Sequence, residues 1–184
     1  ETADTFRPTV SAILNITPDH LNRHHNMETY VAVKESIAKN QTKEDTCVLN
    51  YEDARLRRFA EVCPARVVFF SSGHVMEDGF YLDGDDICRG QNGESRRILN
   101  IHTDMNLVGM CNVENVMAAL AIAESMKVPQ DITLEVIRQF KAVEHRIEYV
   151  AEKNGVVYYN DSKGTNPDAA IQGIKAMTRP TILI

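Results

Sequence analysis

No stretch of the 184 residues approaches the roughly 18 uninterrupted apolar residues that a membrane-spanning helix needs. Positive charge is in deficit: 20 Lys and Arg face 26 Asp and Glu, a net charge of −6, which disfavours nonspecific binding to a nucleic-acid backbone. Cysteine is sparse. Cys47, Cys63, Cys88 and Cys111 are irregularly spaced and form no CxxC pair. That pattern excludes a disulfide scaffold or zinc site and points to reduced thiols in a cytoplasmic protein. Neither G-x-x-x-x-G-K-[ST] nor G-x-G-x-x-G occurs. With 43% hydrophobic and 25% charged residues, a disordered tail and a fibrous repeat are excluded as well. The length suits one ordinary domain, or one domain plus part of a second.

What is present alternates. Thr9 to Ile16, Thr46 to Asn50 and Arg66 to Phe70 are short apolar runs of the kind buried in parallel sheets. Between them, Met27 to Lys39 and Asp53 to Val62 carry helical periodicity, the latter with Arg55, Arg57 and Arg58 toward solvent. The order β-α-β-α-β predicts a parallel α/β sheet. From Ser71 to Leu107 turn residues dominate, and the pieces Gly79 to Leu82 and Arg97 to Leu99 predict an antiparallel ribbon at the sheet edge. Helices are expected over Asn112 to Met126 and Asp131 to Phe140, the second capped near Asp131 or Thr133. Two strands, Ile147 to Ala151 and Val156 to Asn160, flank the hairpin signal Asn154-Gly155. A helix over Pro167 to Met177 follows, then an apolar run, Pro180 to Ile184, that reads as a strand just beginning. With no initiator Met and no signal-peptide pattern at Glu1, the expectation is a piece of a longer protein. The expected division is 1–143 and 144–184.

Five segments carry polar chemistry. Asn15-Ile16-Thr17-Pro18-Asp19-His20 lies at the carboxyl end of a predicted strand, where open α/β sheets hold ligands. It is either a metal or phosphoryl site or a capping loop with a surface histidine. Lys34 sits among Val31, Val33 and Ile37, where a lysine stem ordinarily reaches past apolar neighbours to water. Asn112 and Asn115 share one face of a helix's first turn, which attracts anions and polar ligands; ordinary capping explains one Asn but not both. Glu144-His145-Arg146 offers an arginine that clamps phosphate or makes a salt bridge between domains. Asn160-Asp161-Ser162-Lys163-Gly164-Thr165-Asn166 packs seven small or polar residues between a strand and a helix, more than a turn alone requires.

In this order the segments LNITPDH, Lys34, G-x-x-N-x-x-N, HR and NDSKGTN resemble the Mur ligase family over nearly the whole chain. The last motif is similar to that of members that add D-glutamate. The resemblance implies the parallel-sheet central ATPase domain of that family, without its P-loop, followed by the start of a Rossmann-like C-terminal domain. It implies an ATP-dependent amide ligase in the whole protein, with the fragment alone inactive. The implied partners are small molecules: ATP, UDP-N-acetylmuramoyl-L-alanine and D-glutamate, handled by a cytoplasmic monomer in peptidoglycan precursor synthesis. His20 then matches a magnesium ligand, and Lys34 matches a lysine that is carbamylated and so becomes an anionic oxygen ligand for Mg2+. Asn112, Asn115, Arg146 and Asp161 match nucleotide contacts. Lys163 and Thr165, with Ser162 beside them, match residues facing the acyl phosphate and incoming amino acid. His24 and His25 read as surface residues, and Cys111 stands where the family often has a larger polar residue or histidine. The competing readings are a different ligase of the same superfamily, including the folylpolyglutamate type, and a non-catalytic binding module. Intact His20, Lys34, Asp161 and Lys163 argue against the module.

Overall fold

The computed structural model describes residues 4–18 and 21–184, Leu21 by its backbone alone. Strands β1 (Val10–Ile13), β2 (Thr46–Asn50) and β3 (Arg66–Ser71) run parallel in that spatial order. All five residues of β2 are buried, as in a strand covered on both faces. Cys47 and Leu49 pack with Ile13, Tyr30, Leu56 and Phe59, beneath α2 (Met27–Glu35) and α3 (Ala54–Ala60). Val48 packs on the opposite side with Val68, Phe70, Met117 and Ile137, beneath α4 (Met110–Ser125) and α5 (Gln130–Gln139). The alternation of side chains along each strand thus feeds two cores. The buried Cys47 thiol is hydrogen-bonded to Cys63. That bond draws Cys63 down to about 7 and, with burial, pushes Cys47 up.

The helix expected to reach Lys39 stops earlier. Ser36 Oγ donates to the Val33 carbonyl at 2.7 Å, and a 3₁₀ turn, Ser36–Ala38, replaces the last α-helical turn. A short helix, α1 (Leu21–His24), precedes α2. His24, read as a surface residue, is instead buried, its ring 5.2 Å from that of Tyr30. His25 is exposed, as expected.

The turn-rich region forms three strands, β4 (Gly79–Asp83), β5 (Asp86–Gln91) and β6 (Glu94–Asn100). β4 pairs in parallel with β3, and β4, β5 and β6 pair antiparallel, so the ribbon extends the main sheet to six strands in sequence order. Arg89 of β5 explains how the ribbon is tied down. Its side chain is only 2% exposed, pairs with Asp78 at 2.7 Å and Glu124 of α4 at 2.9 Å, and lies over the Phe80 ring. α5 begins after Pro129 with no side-chain cap. Asp131 and Thr133 lie inside its first turn, which corrects the expected capping.

The chain continues into a separate two-stranded sheet, β7 (Glu148–Lys153) and β8 (Val156–Asn160), joined by Asn154 and Gly155 at φ 52° and 76°. Positive φ at both turn residues is what a tight hairpin needs. Asn166 caps α6 (Pro167–Lys175), accepting from the Ala169 N–H at 2.8 Å, with Pro167 in the first turn. The expected terminal strand does not form. Ile182, Leu183 and Ile184 are exposed, and no described strand pairs with them.

One acidic group fixes the entry to the sheet. Asp45 accepts from Arg7 Nε and from the Thr42 N–H, both at 2.8 Å, and these bonds, the Arg7 one foremost, hold it below its ordinary 3.8. A depressed carboxylate contributes stability that is fully present above its unfolded value and is lost as pH falls through the folded one. Thermal midpoints recorded from pH 5 to pH 2 should therefore fall more steeply for the wild type than for Asp45→Asn. The difference should open below about pH 4. Parallel curves would show that Asp45 contributes nothing to acid sensitivity.

Candidate functional site

The carboxyl ends of β1, β2 and β3 lie at one edge, facing the N-terminus of α4. Asp53 organises that edge. Its Oδ1 caps α3 by accepting from the Arg55 N–H at 2.8 Å, and its Oδ2 accepts from the Ile16 N–H at 2.9 Å, which ties down the chain leaving β1. Lys34, near the end of α2, reaches back to this segment. Its Nζ donates to the Asn15 carbonyl at 3.2 Å and lies 5.2 Å from the centre of the Tyr30 ring. Asp19 and His20 lie outside the described residues.

Gly109 starts α4 at φ 94°, and a Cβ there would come within 2.5 Å of the Ala176 Cβ. Only glycine allows the chain after α6 to seat against this helix end. Asn112 Nδ2 donates to the Val108 carbonyl at 2.8 Å, and Asn115 Nδ2 lies 3.4 Å from Asn112 Oδ1, so the two share a face. Glu114, between them, accepts from Ser72 Oγ at 2.6 Å. Neighbouring Glu52 accepts from Ser71, Gly73 and His74; burial opposes its charge, yet these bonds hold it below its ordinary value.

A polar cavity of about 350 Å³ lies between these elements and the 160s loop. Lys34, Asn112, Asn115, Arg146, Asp161 and Lys163 all line it. Among the described residues, the side chains of Arg146 and Lys163 make no hydrogen bond or ion pair. An apolar cavity of about 420 Å³ adjoins it, sharing Asn112, Asn115 and Arg146 and walled by Leu107, Val136 and Phe140. Ser162 and Thr165 are exposed and line neither cavity. Sequence reasoning missed Tyr30, Glu114 and Ile147, which also border the polar cavity. Tyr30 had a usable signal, since it stands one helical turn before Lys34.

The loop at Arg146 is bent unusually. His145 and Ile147 have φ 70° and 44°, a left-handed backbone that costs about 1–3 kcal/mol for a non-glycine residue and is rarest for a β-branched one. Several bonds hold it. The Ile147 N–H donates to Asp161 Oδ1 at 3.0 Å, the His145 N–H to Glu148 Oε2 at 2.8 Å, and the Lys163 N–H to the His145 carbonyl at 3.0 Å. Asp161 Oδ2 is wedged against Gly173, where a Cβ would approach it to 2.5 Å.

The described residues do not make a magnesium site by themselves. No cluster of three His, Cys, Asp or Glu able to hold a metal occurs among them. Lys34 as an ammonium is a donor and fits a cation badly; only as a carbamate would it supply oxygen.

A cavity that joins an apolar chamber to a chamber bearing unpaired cations suits a nucleotide and an anion. The model of the Mur ligase middle domain matches residues 1–123. The chain belongs to the Mur ligase family. It is 59% identical over all 184 residues to the UDP-N-acetylmuramoylalanine--D-glutamate ligase of Lachnospira eligens, and 48% identical over the same length to that of Clostridioides difficile. It spans 41% and 40% of those relatives. The fold is similar to MurF from Acinetobacter baumannii, with a TM-score of 0.71 at 18% identity, covering 90% of this chain and 36% of that one. It is also similar to UDP-N-acetylmuramate-alanine ligase MurC from Thermotoga maritima, with a TM-score of 0.65 at 20% identity, covering 93% and 38%. The α/β class with a mostly parallel sheet is that of the family. No described helix is long and apolar enough to cross a membrane.

Proposed function

We propose that this chain supplies part of the ATP and acyl-phosphate site of a cytoplasmic, monomeric ligase that joins D-glutamate to UDP-N-acetylmuramoyl-L-alanine. The observation that carries the reading is the paired cavity. The adenine occupies the apolar chamber beside Leu107, Val136 and Phe140, and the phosphates face Arg146 and Lys163. Asn112 and Asn115, at the junction, orient the base and ribose; Asp161 borders the nucleotide. The division between two units falls at residues 143 and 144, a reading supported by the separate β7–β8 sheet.

The reaction follows from charge. An alanyl carboxylate oxygen attacks the γ-phosphorus, ADP leaves, and an acyl phosphate remains. The D-glutamate amine attacks the acyl carbon, loses a proton, and phosphate departs with the former carboxylate oxygen. Every species is anionic, so fixed donors must offset their repulsion. Arg146 does so at the nucleotide and Lys163 at the acyl phosphate and its tetrahedral successor. Ser162 and Thr165 face the incoming amino acid once the C-terminal unit closes. In the whole protein, His20 and a carbamylated Lys34 would hold Mg2+, which would supply Lewis-acid charge stabilisation.

The test is ADP release by the full-length protein with UDP-N-acetylmuramoyl-L-alanine present. Release that depends on D-glutamate and not on L-glutamate or L-alanine is expected. Equal stimulation by another amino acid would point to a different member of the superfamily, and no turnover would favour a binding module.

A further inference from the structure

Arg146 enters both cavities from a stretch where two non-glycine residues, separated by a single position, are left-handed, the one such stretch among the described residues. A conformation of that kind persists only where its surroundings over-determine it. Here the decisive contact is long in sequence: the buried Ile147 donates its N–H to Asp161 Oδ1 across 14 residues. The carboxylate is itself immobilised, one oxygen spent on Ile147 and the other wedged against Gly173 of α6. An oxygen committed in this way is less available to a ligand.

We propose that Asp161 is a positioning residue, whose carboxylate holds the left-handed backbone at Ile147 and so fixes the direction in which Arg146 enters the nucleotide cavities. The inference rests on the ATP-site reading for its functional readout but not for its structural one. Without Asp161 the Ile147 N–H loses its acceptor, and the chain relaxes toward a right-handed or extended conformation. Arg146 then turns away from its aim. The same clamp couples the 145–147 turn to Lys163, whose N–H is bonded to the His145 carbonyl. Two cations contributed by separate loops are thereby held in one register.

The experiment uses the full-length protein, with ATP binding by calorimetry and amide hydrogen exchange without nucleotide. Asp161→Ala should speed exchange at residues 145–147 selectively and raise the ATP Kd about tenfold. Adding Ile147→Gly, which adopts positive φ freely, should recover much of that affinity although it removes a buried side chain. A merely structural role would give the opposite, since the second substitution would deepen the loss. The proposal is overturned if exchange at 145–147 is unchanged in Asp161→Ala, or if the double variant binds ATP no better than the single one. If the wild type binds no ATP, the nucleotide reading fails, and the exchange result alone decides the role of Asp161.

Discussion

Replacing Lys34 with alanine in the full-length protein should lower kcat by about 10³-fold, the upper end of what losing one fixed electrostatic group at a reacting centre removes. Two contacts hold its Nζ atom. The Asn15 carbonyl accepts from Nζ, and the Tyr30 ring lies beneath it. Both contacts suit an ammonium, but one Nζ–H survives carbamylation and still has the Asn15 carbonyl to bond. The two forms are separable by rescue. If the working form is a carbamate, short carboxylates such as formate or acetate should restore part of the activity of Lys34→Ala, and small amines should not. Rescue by methylamine instead would assign Lys34 as a cation that faces phosphate directly. Turnover equal to the wild type would remove Lys34 from the reaction.

Lys163→Ala should lower kcat by about 10²-fold or more, with a smaller change in the KM for ATP. The reasoning starts from the loop. It leaves the carboxyl end of β8 and enters α6, so its ligand side meets the positive end of that helix. Lys163 is exposed and lines the polar cavity, and its own N–H is spent on the His145 carbonyl, which leaves the ammonium to act outward. Its charge is most valuable where negative charge accumulates, at the acyl phosphate and the tetrahedral intermediate. Ser162→Ala should cost less, about tenfold at most, because a neutral hydroxyl makes a weaker bond than a charge-assisted donor and Ser162 lines neither cavity. If Lys163→Ala changed the melting temperature alone, the loop would be a turn and nothing more.

The parallel half of the fold was legible because its signals are local. Val48 and Leu49, or Val67 and Val68, are apolar on both faces, and only strands covered on both sides tolerate that. The ribbon was harder. β5 places an arginine inside, and Arg89 in sequence looks like any surface cation; its burial depends on Asp78 and Glu124, which only the tertiary fold brings to it. The run ending at Ile184 has strand-like composition, but a strand needs a neighbour, and composition carries no information on whether one is present. In the site, Lys34, Asn112 and Lys163 stand out singly as unusual residues in their local patterns. Their convergence on one cavity is invisible to spacing, because it is set by how α2, α4 and the loop after β8 pack. The bent backbone at Ile147 left no trace at all, since an isoleucine is the last residue that sequence rules would assign to a left-handed position.

The most direct measurement follows the carboxylate oxygen. UDP-N-acetylmuramoyl-L-alanine carrying a heavy-oxygen label in its alanyl carboxyl group is incubated with the full-length protein, ATP and D-glutamate, and any released phosphate is analysed by mass spectrometry. Activation as an acyl phosphate in this site transfers one labelled oxygen to phosphate for each amide bond formed. Unlabelled phosphate accompanying amide formation would mean that the γ-phosphoryl group never reaches the carboxylate, and would contradict the chemistry assigned to Lys163 and to the paired cavity.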